Sequence, residues 1–238
     1  MTNSQNNQSL SVPGAIIIAG IIVAAAVLIA FTGGNNGAPL TNNDTPEQGS
    51  QAGISIAQAA EDIGLNADDF AVCMTENDDV LAKVERDMDN AVATGGRGTP
   101  HSIIITPDGN MFPVSGALPI GQWNQILDGL QSGDGDFAFN LEDPAYEVLP
   151  VGDDEFIRGN SDAPYTIIEY SDANCGFCKQ LHGTLKTLVA ERDDVRWVYR
   201  HFPILSPNSQ EKAIAAECAA TLGGEDAYWD FLDIILGA

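Results

Sequence analysis

The strongest constraint in this 238-residue chain is a pair of cysteines two residues apart, set between an apolar run and a helical one. Tyr165–Tyr170 (YTIIEY) predicts a strand, and the sequence that follows (SDANCGFCKQLHGTLKTLVAER) reads as a loop feeding a long helix. Cys175-Gly176-Phe177-Cys178 therefore falls at the head of that helix. A helix N-terminus offers N–H groups without intrahelical partners and the positive end of the dipole, and both stabilise a thiolate. Free thiols titrate near about 8.5, and in Cys-x-x-Cys motifs the value falls to about 3.5–7.5. Two intervening residues put the second sulfur one turn deeper than the first. Thiol–disulfide exchange needs this asymmetry: Cys175 attacks, and Cys178 releases the mixed disulfide from behind.

Two blander readings compete. Half of a zinc site would need a second Cys-x-x-Cys, and the remaining cysteines, Cys73 and Cys218, stand far from the pair and from each other. His182 is expected as an exposed or capped helix residue rather than a ligand. A structural bridge between Cys175 and Cys178 would close a loop too small to constrain the unfolded chain. No metal is expected. No G-x-G-x-x-G or P-loop pattern occurs, so no nucleotide cofactor is expected either.

The rest of the chain reads as alternating helices and strands. Residues 54–65, 67–77 and 78–93 predict helices, with Asn66 capping the second and Gly95-Gly96 ending the third. Ser102–Thr106 and Met111–Ser115 predict strands around a Pro107-Asp108-Gly109-Asn110 turn, and Pro113 marks the second as an edge strand. Residues 119–131 predict a helix, 195–200 a strand, and 208–222 and 225–236 two more helices. Strands alternating with helices imply a layered α/β domain.

Thirty-four acids against ten bases give a formal net charge of −24, a field that repels nucleic acid and excludes it as an expected partner. Residues 1–11 form a short tail. Residues 12–31 are an uncharged apolar run, and twenty residues at about 1.5 Å each span about 30 Å, the thickness of a bilayer core. A transmembrane anchor is expected there, with a cleaved signal peptide as the alternative. Residues 32–50 read as a flexible linker, and 51–238 as the folded domain.

GNSDAPYTIIEYSDANCGFCKQLHGTL, VRWVYRHFPI and AIAAECAATLGGEDAYWDFLDIIL together resemble the N-terminal half of a DsbA-like domain of thioredoxin fold. AEDIGLNADDFAVCM and GGRGTPHSIIITPDGNMFPVSGALPIGQWNQILDGL resemble the C-terminal half of the same family. The order is reversed: 51–131 carries the family's C-terminal half, 132–149 a connector, and 150–238 the N-terminal half. A circular permutation within one domain, with a helical insertion, is the expected architecture; halves exchanged in a swapped dimer are the alternative.

The resemblance implies roles. Cys175 is the nucleophile and Cys178 its resolving partner. Pro100 is a cis-proline facing them, and it exposes the backbone of Thr99 to pair with a substrate strand. Glu169 is the buried acid below the pair, able to exchange a proton with Cys178. Thr99, His101, Gly176 and Phe177 face substrate, although His101 equally fits as the first residue of its strand. Gly-Phe between the cysteines departs from the Pro-His or Pro-Tyr of other members, which leaves the strength as an oxidant open. Cys73 and Cys218 match positions that pair as a structural disulfide in some DsbA-like proteins. The expected activity is disulfide donation to exported proteins on the extracytoplasmic side of a cell membrane, with an unidentified redox partner recycling the pair. Isomerase or reductase activity, a tethered binding module and a metal-carrying chaperone are the alternatives.

Overall fold

The computed structural model describes residues 54–76, 78–133 and 147–237. The expected anchor at 12–31, the linker at 32–50 and connector residues 134–146 lie outside them. Among the described residues no helix is long and apolar enough to cross a membrane. The architecture below is that of the unit from Ser50 onward.

Three helices come first: α1 (Ile56–Asp62), α2 (Ala67–Thr75) and α3 (Asp78–Ala93). Ser55 and Asn66 cap α1 and α2, accepting the N–H of Gln58 and Asp69 at 3.1 and 3.0 Å, which satisfies donors that a helix start leaves unpaired. After α3 the chain turns through Gly95, at φ 82°. The Gly96 N–H reaches back to the Ala91 carbonyl at 2.8 Å. A Cβ at Gly96 would stand 2.7 Å from that oxygen, so the turn has no room for a side chain.

Five strands form one sheet. β1 (His101–Ile105) and β2 (Met111–Ser115) are an antiparallel pair, followed by α4 (Ile120–Ser132). β3 (Ile157–Gly159), β4 (Tyr165–Ser171), α5 (Gly176–Glu191), β5 (Val195–His201) and α6 (Ser209–Leu236) complete the chain. The sheet order is β2-β1-β4-β5-β3, with β4 and β5 parallel and the other pairs antiparallel. Residues from 101–115 and from 157–201 thus share one sheet, joined where β1 lies beside β4 with Ser102 opposite Glu169. Pro113 lies on β2, an edge strand, where its missing N–H costs the sheet no inner hydrogen bond. The short strand β3 was not expected: Ile157-Arg158-Gly159 is too brief to show a period.

Alternation along the strands sends neighbouring residues to opposite faces. Ile104, Ile167, Trp197 and Tyr199 join a core under α1, α2, α4, α5 and α6. Ile103, Ile168, Tyr170 and Val198 join a smaller core with Ala91 and Met88 of α3. Trp123 and Trp197 are fully buried; an aromatic of this size contributes roughly 4–6 kcal/mol before the entropy of ordering it is counted.

Ionic and polar links tie α3 and the chain near β3 to the later elements. Lys83 of α3 pairs with Glu217 of α6, which also accepts from His201 at 2.9 Å. Arg200 is bound by Glu155, by Asn90 of α3 at 2.7 Å and by the Tyr170 hydroxyl at 3.1 Å. A disulfide joins Cys73 on α2 to Cys218 on α6. α6 itself holds the two helices expected at its place, run together and kinked at Gly224, where φ is 74° and ψ −161°.

Candidate active site

β4 ends at Ser171, and the chain reaches α5 through Asp172-Ala173-Asn174. Asp172 is buried, and its carboxylate accepts three backbone N–H groups, those of Asn174, Ile204 and Leu205, each at 2.8 Å. Its own carbonyl accepts from Cys175 N at 2.9 Å. The Asn174 amide donates to Ser206, Asn208 and Ser209 at 2.9–3.0 Å. These two side chains clamp the loop before α5 to the loop after β5, and so fix where Cys175 begins. Sequence reasoning passed over both. Only the bond of Asp172 to Asn174 N had a local signal, since an Asp between a strand and a helix folds its side chain onto the N–H two residues on; the bonds to 204–209 had none.

Cys175 is the N-cap of α5. Its Sγ accepts from the Cys178 N–H at 3.4 Å and donates to the Thr99 carbonyl at 3.3 Å. The first contact aims a helix-end donor at the sulfur, an arrangement suited to holding negative charge there. The second brings the Thr99–Pro100 loop, from the beginning of β1, against a thiol 76 residues further along the chain. The Thr99–Pro100 peptide bond is cis. Cys175 and Cys178 are both free thiols; Cys175 keeps 6% of its surface, and Cys178 keeps none.

Burial pushes the Cys178 thiol far above its ordinary range, and the carboxyl of Glu169 adds to the rise. Glu169 occupies the centre of β4, on the same face as Ile167, and is fully buried. Neither of its oxygens has a hydrogen-bond partner, although the Ser171 hydroxyl and Trp197 indole are near enough to temper its shift. Loss of water raises this carboxyl to about 8. The site therefore has one nearly buried sulfur that keeps a sliver of surface, a fully buried sulfur behind it, and a buried acid that is protonated at neutral pH.

The remaining expected residues divide. Phe177 is 67% exposed, and Gly176 has open space where a side chain would be. His101 lies inside: its Nε2 meets the Thr94 carbonyl at 3.2 Å, its ring stacks on Tyr170, and burial lowers its pKa. Its side chain opens β1 and makes no outward contact. His182, expected exposed or capped, is fully buried; Asp233 holds its Nε2 at 2.7 Å and Trp197 meets its ring edge-on. The reason is that α5 is covered by α6, which turns a polar helix position into a core one. Among the described residues no group of three His, Cys, Asp or Glu side chains is placed to hold a metal.

A family model described as Thioredoxin matches residues 152–238, the part that contains β3 to α6 and both cysteines. The fold is thioredoxin-like. Sequence relatives are sodium/proton antiporters. The chain is 37% identical over 92 residues to Na(+)/H(+) antiporter NhaA 3 of Salinispora tropica, covering 37% of this chain and 14% of the antiporter. It is 32% identical over 90 residues to NhaA 1 of Salinispora arenicola and 37% identical over 79 residues to NhaA 1 of Mycolicibacterium gilvum. The match spans only 12–14% of the length of these relatives. In the thioredoxin-like unit of this chain, Cys175 and Cys178 sit where the central strand β4 hands over to α5.

Proposed function

We propose that this protein is a thiol–disulfide oxidoreductase of the DsbA-like class that donates a disulfide to exported proteins. The observation that carries the reading is the sulfur of Cys175 held between the Cys178 N–H and the carbonyl of Thr99, next to the cis-proline Pro100. In the donor cycle a substrate thiolate attacks Cys175 of the Cys175–Cys178 disulfide, and Cys178 leaves as a thiolate. A second substrate thiolate then attacks the substrate sulfur of the mixed disulfide and expels Cys175. The substrate gains one disulfide, and the protein keeps two electrons and two protons as a dithiol. A redox partner reoxidises it. Glu169, neutral until about pH 8 and electrostatically felt by Cys178, is the group that gives Cys178 its proton and takes it back.

A circular permutation is part of the same proposal. Its support is that β1 and β2 pair into the sheet built by β4 and β5 rather than forming a separate layer. Membrane anchoring by residues 12–31 is proposed from their length and apolar character alone. Ion transport belongs to the named antiporters and is not carried to this chain.

The test is the reduction potential of the Cys175–Cys178 pair, with trapping by Cys178→Ala. A potential near about −120 mV supports a donor, and one near about −270 mV assigns a reductase instead. In Cys178→Ala the lone Cys175 thiolate should attack a disulfide-bearing unfolded substrate, expel one substrate thiolate and accumulate as a mixed disulfide that has no resolving sulfur. Retained exchange in Cys175→Ala would remove the reading altogether. Light scattering on the purified protein tests the permutation, which expects a monomer; an obligate dimer favours exchanged halves.

A further inference from the structure

The ten Lys and Arg residues are distributed unevenly around this site. Six of them pair with an Asp or Glu: Lys83, Arg86, Arg158, Lys186, Arg192 and Arg200. Arg196 is bound by the Thr166 hydroxyl and the Ser161 carbonyl. The remaining three, Arg97, Lys179 and Lys212, have no ion pair among the described residues, and all three border Cys175. Arg97 is exposed and two residues from Thr99, so its Cα lies within about 7 Å of the residue that touches the sulfur. The Gly95-Gly96 turn fixes where it starts. Lys179 is exposed and directly follows Cys178. Lys212 donates to Asn174, the neighbour of Cys175, at 2.7 Å, and its pKa is lowered by burial and by Lys179 close by. Exposed apolar surface adjoins them: Phe177 at 67%, with Ile204 and Leu205 at 42% and 53% on the loop that Asp172 ties to the site.

Acids do not cancel this group. Two acids stand beside the three cations and leave them in excess: the buried Asp172 carboxylate, which accepts three backbone N–H groups and is felt by Lys212, and the exposed Glu211 next to Lys212; Glu169 is neutral below about pH 8. Exposed charges more than about 10 Å apart are largely screened at 0.1 M salt, so even a chain at −24 acts on a docking segment chiefly through the charges beside the sulfur. A segment docking at the sulfur meets the nearby cations first.

We propose that the site selects cysteine-containing segments whose neighbouring side chains are acidic and apolar, with Arg97, Lys179 and Lys212 taking the acids and Phe177, Ile204 and Leu205 the apolar group. This rests on the exchange activity proposed above and adds the substrate class to it. The experiment compares two peptides of the same length, each with a Cys beside a Leu, one flanked by Asp and one by Lys, as thiol substrates of the oxidised full-length protein. At about 0.1 M salt the Asp peptide should react at least about fivefold faster in kcat/KM, with the ratio falling toward one in 0.5 M salt. Combining Arg97→Glu, Lys179→Glu and Lys212→Glu should invert the ratio. The salt dependence of the wild type carries the same test without any substitution. Equal rates, a preference for the Lys peptide, or a charge reversal that slows both peptides alike would overturn the proposal while leaving the exchange activity standing. Failure of both peptides and of a small dithiol to react would instead remove the exchange activity itself, and this proposal with it.

Discussion

At Glu169 a carboxyl group has lost its water without gaining a hydrogen bond, in the middle of the central strand. The consequence for stability has a definite sign. The folded state holds this proton up to about pH 8, while the unfolded chain releases it near the ordinary value of 4.5. Between those values the folded state binds more protons, so stability falls as pH rises through the window and levels off above it. At about 1.4 kcal/mol per pH unit the loss amounts to a few kcal/mol. Glu169→Gln should abolish this slope: urea melts at pH 5 and pH 8.5 should differ less in the variant than in the wild type. The same variant should slow turnover at neutral pH, and unchanged kinetics would leave Glu169 without a proton role. The strand that carries Glu169 and the helix that begins at Cys175 were legible in the sequence, while the burial of Glu169 followed only from the family resemblance. The burial of His182 and His101 was not legible, because each is covered by an element distant in sequence, Asp233 on α6 for one and Tyr170 on β4 for the other. Asp172 and Asn174 were overlooked for a different reason: their partners at 204–209 carry no marking that pairs them with a loop thirty residues earlier.

Elements with a local cause were read closely. α2 begins where Asn66 caps it, α3 ends where Gly95 and Gly96 turn the chain, and Pro113 does lie on an edge strand. β3 escaped because three residues carry no periodicity, and its place in the sheet comes from pairing with β5. The two helices expected at 208–222 and 225–236 meet as one kinked α6 because Gly224 alone leaves helical geometry. α6 also packs against α1, α2, α3 and α5. It meets α2 through the Cys73–Cys218 bridge, which spans 145 residues. A loop of that length restricts the unfolded chain strongly, and removing the bridge typically costs roughly 2–5 kcal/mol. Combined Cys73→Ala and Cys218→Ala should lower the chemical denaturation midpoint accordingly, while the potential of the Cys175–Cys178 pair stays where it was. A shift in that potential would show that the bridge acts on the site rather than on the fold.

Over the whole molecule the dominant quantity is a net charge of −24. Self-repulsion of this size opposes compaction, and salt screens it. The melting temperature should therefore rise between 0.05 and 1 M sodium chloride, as a thermal scan would show; a flat or falling response would mean that the screened pairs, such as Arg86 with Asp154, outweigh the repulsion. The placement of β1 between β2 and β4 has a consequence for biosynthesis. A ribosome delivers β1 and β2 first, as a hairpin whose inner edge has nothing to bond until β4 emerges much later. Throughout that interval the nascent chain carries a bare, Ile-rich strand edge, the kind of surface that sticks to other nascent chains. A holdase shielding it during synthesis would be needed most here, and no product terminated before Cys175 could set a sulfur against the Thr99 carbonyl, because that carbonyl is made early and the sulfur it touches is made late.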